Sequence, residues 1–78
     1  MTDHLLRNLG RALRARREAA GYSQESYANV IGMHRTYYSA IERGEKNLQL
    51  DTLQRICAGL RCHMWEALKD AETLTQKQ

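Results

Sequence analysis

The sequence predicts an all-α domain of five short helices. Apolar residues recur at helical spacing in successive stretches, glycines punctuate those stretches, and none of the 78 residues is proline. Spacings of three and four put apolar side chains on one helical face, and the lack of proline removes one kind of helix breaker. A chain this short buries roughly 60% of the surface its unfolded form exposes. One modest core enclosed by five helices therefore uses nearly all of it. A single domain spans residues 1–78, with its core at about 5–72.

Residues 1–4 read as a frayed lead. The first helix runs from about Leu5 to Ala20, with Leu6, Leu9, Leu13 and Ala20 on its stripe. Arg17 follows Leu13 by four residues and so falls on the same inward stripe. A charge at a core-facing position needs a partner. Glu42 is the candidate; the alternative is that both side chains extend into solvent. Gly21 ends the helix as a C-cap, Tyr22 fills the corner, and Ser23 is a good N-cap for a second helix opening at Gln24. Ser26, at the third helical position, is not the Glu or Gln of a capping box.

Residues 24–43 organise the rest. Tyr27 and Ile31 share one face of the second helix, and Tyr38 and Ile41 share one face of the third. Ala28 is small where the two helices would cross, Gly32 allows a sharp turn, and Met33 can point inward from it. The third helix begins near His34 or Arg35 and ends at Gly44. Its outward face is His34, Arg35, Thr36, Tyr37, Ser39, Ala40 and Arg43, which is polar, uncharged or basic and never acidic. An exposed helix of this chemistry suits the major groove of double-stranded DNA.

After the loop of residues 44–50, where Leu48 and Leu50 dip toward the core, a fourth helix runs from Leu50 or Asp51 to Leu60. Leu53, Ile56, Cys57 and Leu60 form its stripe. Gly59 is unusual inside a helix and costs about 1 kcal/mol against alanine, which suits the close approach of another helix. Arg61 and Cys62 connect to a fifth helix from His63 to about Leu74. Its apolar anchors, Met64, Trp65 and Leu68, exceed what so small a core needs and mark a two-fold dimer interface. Residues after Thr73 read as a polar tail.

The stretch from Gln24 to Glu42, with Ala28, Gly32, the apolar positions around them and the trailing IERG of Ile41 to Gly44, resembles the helix-turn-helix of the Xre and phage-repressor class. His34 to Asn47 is most similar to the restriction–modification controller proteins, small dimeric regulators of that class. The resemblance covers about residues 5–70 and implies a lambda-repressor-like fold. It also implies the Arg17–Glu42 pair, a homodimer, and a glutamine at position 24 that bonds a phosphate and braces the recognition helix.

Base edges would then be read by Arg35, Thr36, Ser39 and Ala40. Arginine can bond guanine O6 and N7 together, worth about 1–3 kcal/mol of discrimination; the Thr36 and Ala40 methyls can touch a thymine methyl. Gln24, Tyr37, Arg43, Lys46 and Asn47 would hold the DNA backbone; the competing readings are a plain exposed glutamine at Gln24 and an ordinary polar loop at Lys46 and Asn47. For Tyr37 the competing reading is core filling; for Tyr38, on the inward face with Ile41, core filling is the reading.

Other classes fit poorly. Cys57, Cys62 and His63 do not have zinc-ligand spacing and lack a fourth ligand, so neither a metal nor a cofactor is expected. There is no phosphate loop, nucleophile motif or paired carboxylate, which argues against an enzyme. No apolar run is long enough for a signal peptide or membrane span, so the expected location is the cytoplasm, where two cysteines do not make a disulfide framework. The net charge of +3 is mildly basic. No sensor domain for a small-molecule ligand is expected. The reading is a homodimeric transcriptional regulator on a pseudo-palindromic operator. Its rivals are the antitoxin of a toxin–antitoxin pair, whose main partner is a protein toxin, and an interaction module that uses the fold without DNA.

Overall fold

In the computed structural model, which describes residues 2–76, five helices follow one another: α1 (Thr2–Ala19), α2 (Gln24–Val30), α3 (Arg35–Glu42), α4 (Leu50–Gly59) and α5 (Met64–Gln76). There is no strand among the described residues. Two expectations about the ends are corrected. Thr2 to His4 are already helical rather than a frayed lead, since that stretch holds neither glycine nor proline to break a helix. Thr73 to Gln76, expected in a polar tail, continue α5. Met1, Lys77 and Gln78 lie outside the described residues.

The reason α5 continues is α1. Asn8, fully buried, donates through Nδ2 to the Thr75 hydroxyl at 3.0 Å, and that hydroxyl donates to the Ala71 carbonyl at 2.9 Å. Lower down, Arg16 pairs with Asp70 at 2.9 Å. As one helix ascends the other descends, so α1 and α5 are antiparallel. Ala12, Ala67 and Ala71 are buried, and small side chains allow helices to approach closely.

Tyr27, Tyr38, Leu13, Ile41 and Ile56 are the largest fully buried apolar side chains. Each such burial is worth roughly 1.5–3 kcal/mol. The Tyr27 ring meets the Tyr22 ring at 5.2 Å and the Tyr38 ring, edge on, at 5.5 Å. The Tyr27 hydroxyl donates to the Ile56 carbonyl and rests directly over Gly59, where a Cβ would collide with it. Leu9 and Leu13 belong to the core, but Ala20 is exposed, because the helix has already ended at Ala19. Leu48 packs against the core, whereas Leu50 is 73% exposed. Leu50 has the right spacing for the stripe but stands at the first position of α4, where no other helix covers it.

The first four helices end in the same hydrogen-bonded turn. After α1, Gly21 N–H donates to Glu18 and Tyr22 N–H to Arg17; after α2, Gly32 donates to Asn29 and Met33 to Ala28; after α3, Gly44 donates to Ile41 and Glu45 to Ala40; after α4, Arg61 donates to Ala58 and Cys62 to Cys57. This is the Schellman arrangement, which needs a left-handed residue just past the helix. Three of the four are glycine; the fourth is Arg61, at φ 57°. The start of α2 also differs from expectation. Ser26 closes a capping box after all, because its hydroxyl is long enough to accept from Ser23 N–H at 3.0 Å while Ser23 accepts from Ser26 N–H at 3.0 Å.

Candidate nucleic-acid interface

The recognition helix α3 is held from beneath. Tyr38, Ala40, Ile41 and Glu42 are all buried. At its start, the His34 ring nitrogen Nδ1 accepts from Thr36 N–H at 3.2 Å and caps the helix. At its end, Gly44 lies against the backbone of Arg7 in α1: a Cβ on Gly44 would come within 2.6 Å of the Arg7 Cα. Gly10 lies against the Glu42 and Ile41 carbonyls in the same manner. Two glycines thus let α1 lie flush along the far end of α3.

Arg17 and Glu42 join α1 to α3 in the interior. Arg17 Nε donates to Glu42 Oε2 at 2.7 Å and Nη2 to Oε1 at 3.0 Å, while Nη1 donates to the Tyr22 carbonyl at 2.7 Å. The two-pronged geometry matches the planar guanidinium to the carboxylate. The hydrogen bonds with Glu42 raise the Arg17 pKa. Burial opposes the charge on Glu42, yet the donors from Arg17 and Gln24 outweigh it and hold the carboxyl below the usual range.

From Glu42 a chain of hydrogen bonds leads outward. Gln24 Nε2 donates to Glu42 Oε1 at 2.9 Å. The Ser39 hydroxyl donates to Gln24 Oε1 at 3.2 Å. Arg43 Nη1 donates to the Ser39 hydroxyl at 2.7 Å, and Nη2 to Glu45 Oε1 at 3.1 Å.

The face expected to read bases is brought together in part. Arg35 and Thr36 are exposed at the front of α3, and Ser39 is half-buried one turn on. Ala40, expected among them, is only 6% exposed and offers little surface to a base edge. Around the helix it falls between the exposed Thr36 and Tyr37, so its small side chain lies low between two larger ones. Tyr37, expected on the DNA backbone, is 38% exposed and directed away from Tyr38 in the core. Arg43, Lys46 and Asn47 are exposed, and Gln24 is half-buried.

The outward face of α3 carries no acid, but Glu45 in the loop just past it pairs with Arg43 at 3.1 Å and raises its pKa. Its position two residues after Arg43 is the signal that points to it. Arg7 of α1 comes alongside the loop that follows α3 through its backbone contact with Gly44, which the sequence does not reveal.

The proposed interface anchors divide. Met64 and Leu68 are half-buried and pack against the molecule's own core, because they lie four apart on the inner face of α5. Trp65 alone stands out, 61% exposed, with the His63 ring parallel to it within 9° at 6.2 Å. Among the described residues, no three His, Cys, Asp or Glu side chains gather as metal ligands, and no helix is long and apolar enough to cross a membrane.

Comparison with known proteins agrees with this geometry. Residues 13–64 match the helix-turn-helix family model. Control protein C.MunI of Mycoplasma sp. is 40% identical over 72 residues, covering 92% of this chain and 97% of that protein. The crystal structure of the restriction–modification controller protein C.AhdI from Aeromonas hydrophila superposes with a TM-score of 0.76 at 34% identity, over 80% of this chain and 94% of that one. The clp gene regulator ClgR from Corynebacterium glutamicum superposes with a TM-score of 0.90 at 28% identity, over 95% of this chain and 79% of that one. The chain belongs to the helix-turn-helix family of DNA-binding transcription regulators and resembles the restriction–modification controller proteins within it.

Proposed function

We propose that this protein is a sequence-specific regulator that binds double-stranded DNA as a homodimer on a pseudo-palindromic operator, in the manner of a restriction–modification controller. The observation that carries the reading is the division of α3: Tyr38, Ala40, Ile41 and Glu42 are buried, while Arg35, Thr36 and Tyr37 are offered to solvent. A helix anchored in this way can enter a major groove without giving up its packing.

Arg35, Thr36 and Ser39 read base edges. Tyr37, Arg43, Lys46 and Asn47 contact phosphates, and the second amide hydrogen of Gln24 remains for another. Phosphate contacts set register and affinity; base contacts set specificity. Two copies paired through the surface around Trp65 place their recognition helices about 34 Å apart, one turn of DNA. With no ligand or cofactor in the scheme, the protein's own concentration in the cytoplasm is the controlling variable, and enzymatic activity is not expected.

The test is selection of bound sequences from a random duplex pool at two salt concentrations. A two-fold symmetric enriched site supports the proposal. Binding without enrichment, lost steeply as salt rises, means phosphate contact alone and defeats it. If no DNA is bound and a pull-down recovers a small toxin, the antitoxin reading replaces it.

A further inference from the structure

We infer that Gln24 fixes the hydrogen-bond polarity of Ser39, so that Ser39 meets its base edge only as an acceptor and selects a base with an exocyclic amino group, adenine or cytosine. The inference rests on the proposal that Ser39 faces a base.

The argument starts at Glu42. An ionised carboxylate accepts hydrogen bonds and cannot donate, and Glu42 is held ionised by its donors. The atom of Gln24 within 2.9 Å of Glu42 Oε1 must therefore be the amide nitrogen. This settles which way round the amide sits, a choice that shape alone leaves open. The Gln24 carbonyl oxygen is then the atom 3.2 Å from the Ser39 hydroxyl. A carbonyl oxygen only accepts, so Ser39 must donate its single proton there.

A serine hydroxyl has one proton and two lone pairs. Here the proton is spent on Gln24, and one lone pair receives Arg43 Nη1 at 2.7 Å. One lone pair remains. Serine normally reads either kind of base because its hydroxyl rotates; this one is fixed. In the major groove, adenine N6 and cytosine N4 are donors, whereas guanine O6 and thymine O4 are acceptors. An acceptor-only serine therefore favours adenine and cytosine. Gln24 touches no base in this scheme; it is a positioning residue, and the buried ion pair reaches the DNA through it.

Selection from a random duplex pool is repeated with Ser39→Ala, Ser39→Thr, Gln24→Met and Gln24→Lys, with thermal unfolding measured for each. In the unmodified protein, one position per half-site should favour adenine or cytosine over guanine and thymine by about tenfold. Ser39→Ala should flatten that position and Ser39→Thr should retain it. Gln24→Met, which lacks the carbonyl, should admit all four bases there and leave the positions read by Arg35 unchanged. Gln24→Lys keeps Glu42 partnered and keeps the fold, but donates to Ser39; the preference should invert toward guanine or thymine.

If the position flattened by Ser39→Ala carries guanine or thymine in the unmodified protein, the inference is overturned while the DNA reading stands. It is overturned in the same way if Gln24→Met or Gln24→Lys leaves the preference at that position as it was, whatever either does to the overall affinity through a phosphate contact. If Ser39→Ala changes no position, Ser39 reads no base, and the inference goes with it. Only failure of the unmodified protein to enrich any site removes the DNA reading itself.

Discussion

Gly10 of α1 and Glu42 of α3 meet backbone to backbone: a Cβ on Gly10 would collide with the Glu42 carbonyl and come within 2.7 Å of the Ile41 carbonyl oxygen. Alanine normally stabilises a helix interior by about 1 kcal/mol over glycine. Here the sign reverses, because the obstacle is backbone and cannot swing aside. Gly10→Ala should destabilise the fold by about 1–3 kcal/mol, a cost on the scale of overpacking a core. Urea unfolding followed by circular dichroism measures it; a variant as stable as the parent would refute the contact.

Arg17→Met should be among the most damaging single changes. It leaves the Glu42 carboxylate buried without its main partner, at about 3–5 kcal/mol. The double variant Arg17→Met/Glu42→Met removes both charges and should recover most of that loss, since an apolar pair of similar volume is often as stable as a buried ion pair. Equal instability of the single and double variants would show that the cost lies in packing rather than in unpaired charge.

The same pair fixes the acid response. The Glu42 pKa is lowered in the folded state, so the unfolded chain takes up its proton at a higher pH than the folded one. The stability this supplies is present above the unfolded carboxyl value of about 4.3 and is lost as pH falls from there through the folded value. Unfolding free energy measured from pH 7 to pH 3 should fall less steeply in the double variant than in the parent. Parallel curves would mean that Glu42 titrates alike in both states.

Arg61 stands where the first three helices have glycine. A side chain there costs roughly 1 kcal/mol relative to glycine, and the carbonyls it caps are capped by backbone. Arg61→Gly should therefore stabilise the domain by about 1 kcal/mol, less the extra freedom glycine gives the unfolded chain. This appears as a rise of several degrees in Tm.

Trp65→Ala should weaken self-association with little effect on the fold, since 61% of Trp65 is outside the core. Sedimentation equilibrium across a concentration series reads this directly. An unchanged association constant would move the interface elsewhere on the surface.

What the chain disclosed in advance follows from the range of each interaction. Helical stripes, the caps at Ser23, Gly21 and Gly32, and the inward lean of Tyr27 and Tyr38 are local or periodic features and could be read directly. Gly10 could not, because its purpose lies in a backbone 32 residues away in sequence. Ala40 misled because a small side chain on a short helix suits a groove and a close packing contact equally well. Leu50 misled because spacing places a residue on a face but does not say whether anything covers that face. Met64 and Leu68 read as surplus from spacing alone, because the core residues they pack against come from elsewhere in the fold.

In the proposed reading three side chains, those of Arg35, Thr36 and Ser39, address base edges, and Ala40, 6% exposed, adds little. Three contacts of this kind specify at most about three base pairs, and a three-letter word recurs by chance about every 64 base pairs. A genome offers on the order of a million or more competing positions, so one copy of this surface carries too little information to mark a unique promoter. Reading the word twice, in opposite orientations at a fixed spacing, squares the odds to about one in 4,000. Each further contact, or a second pair of copies alongside, multiplies them again. For a face this narrow, addressing a single gene is a property of the assembly rather than of the domain.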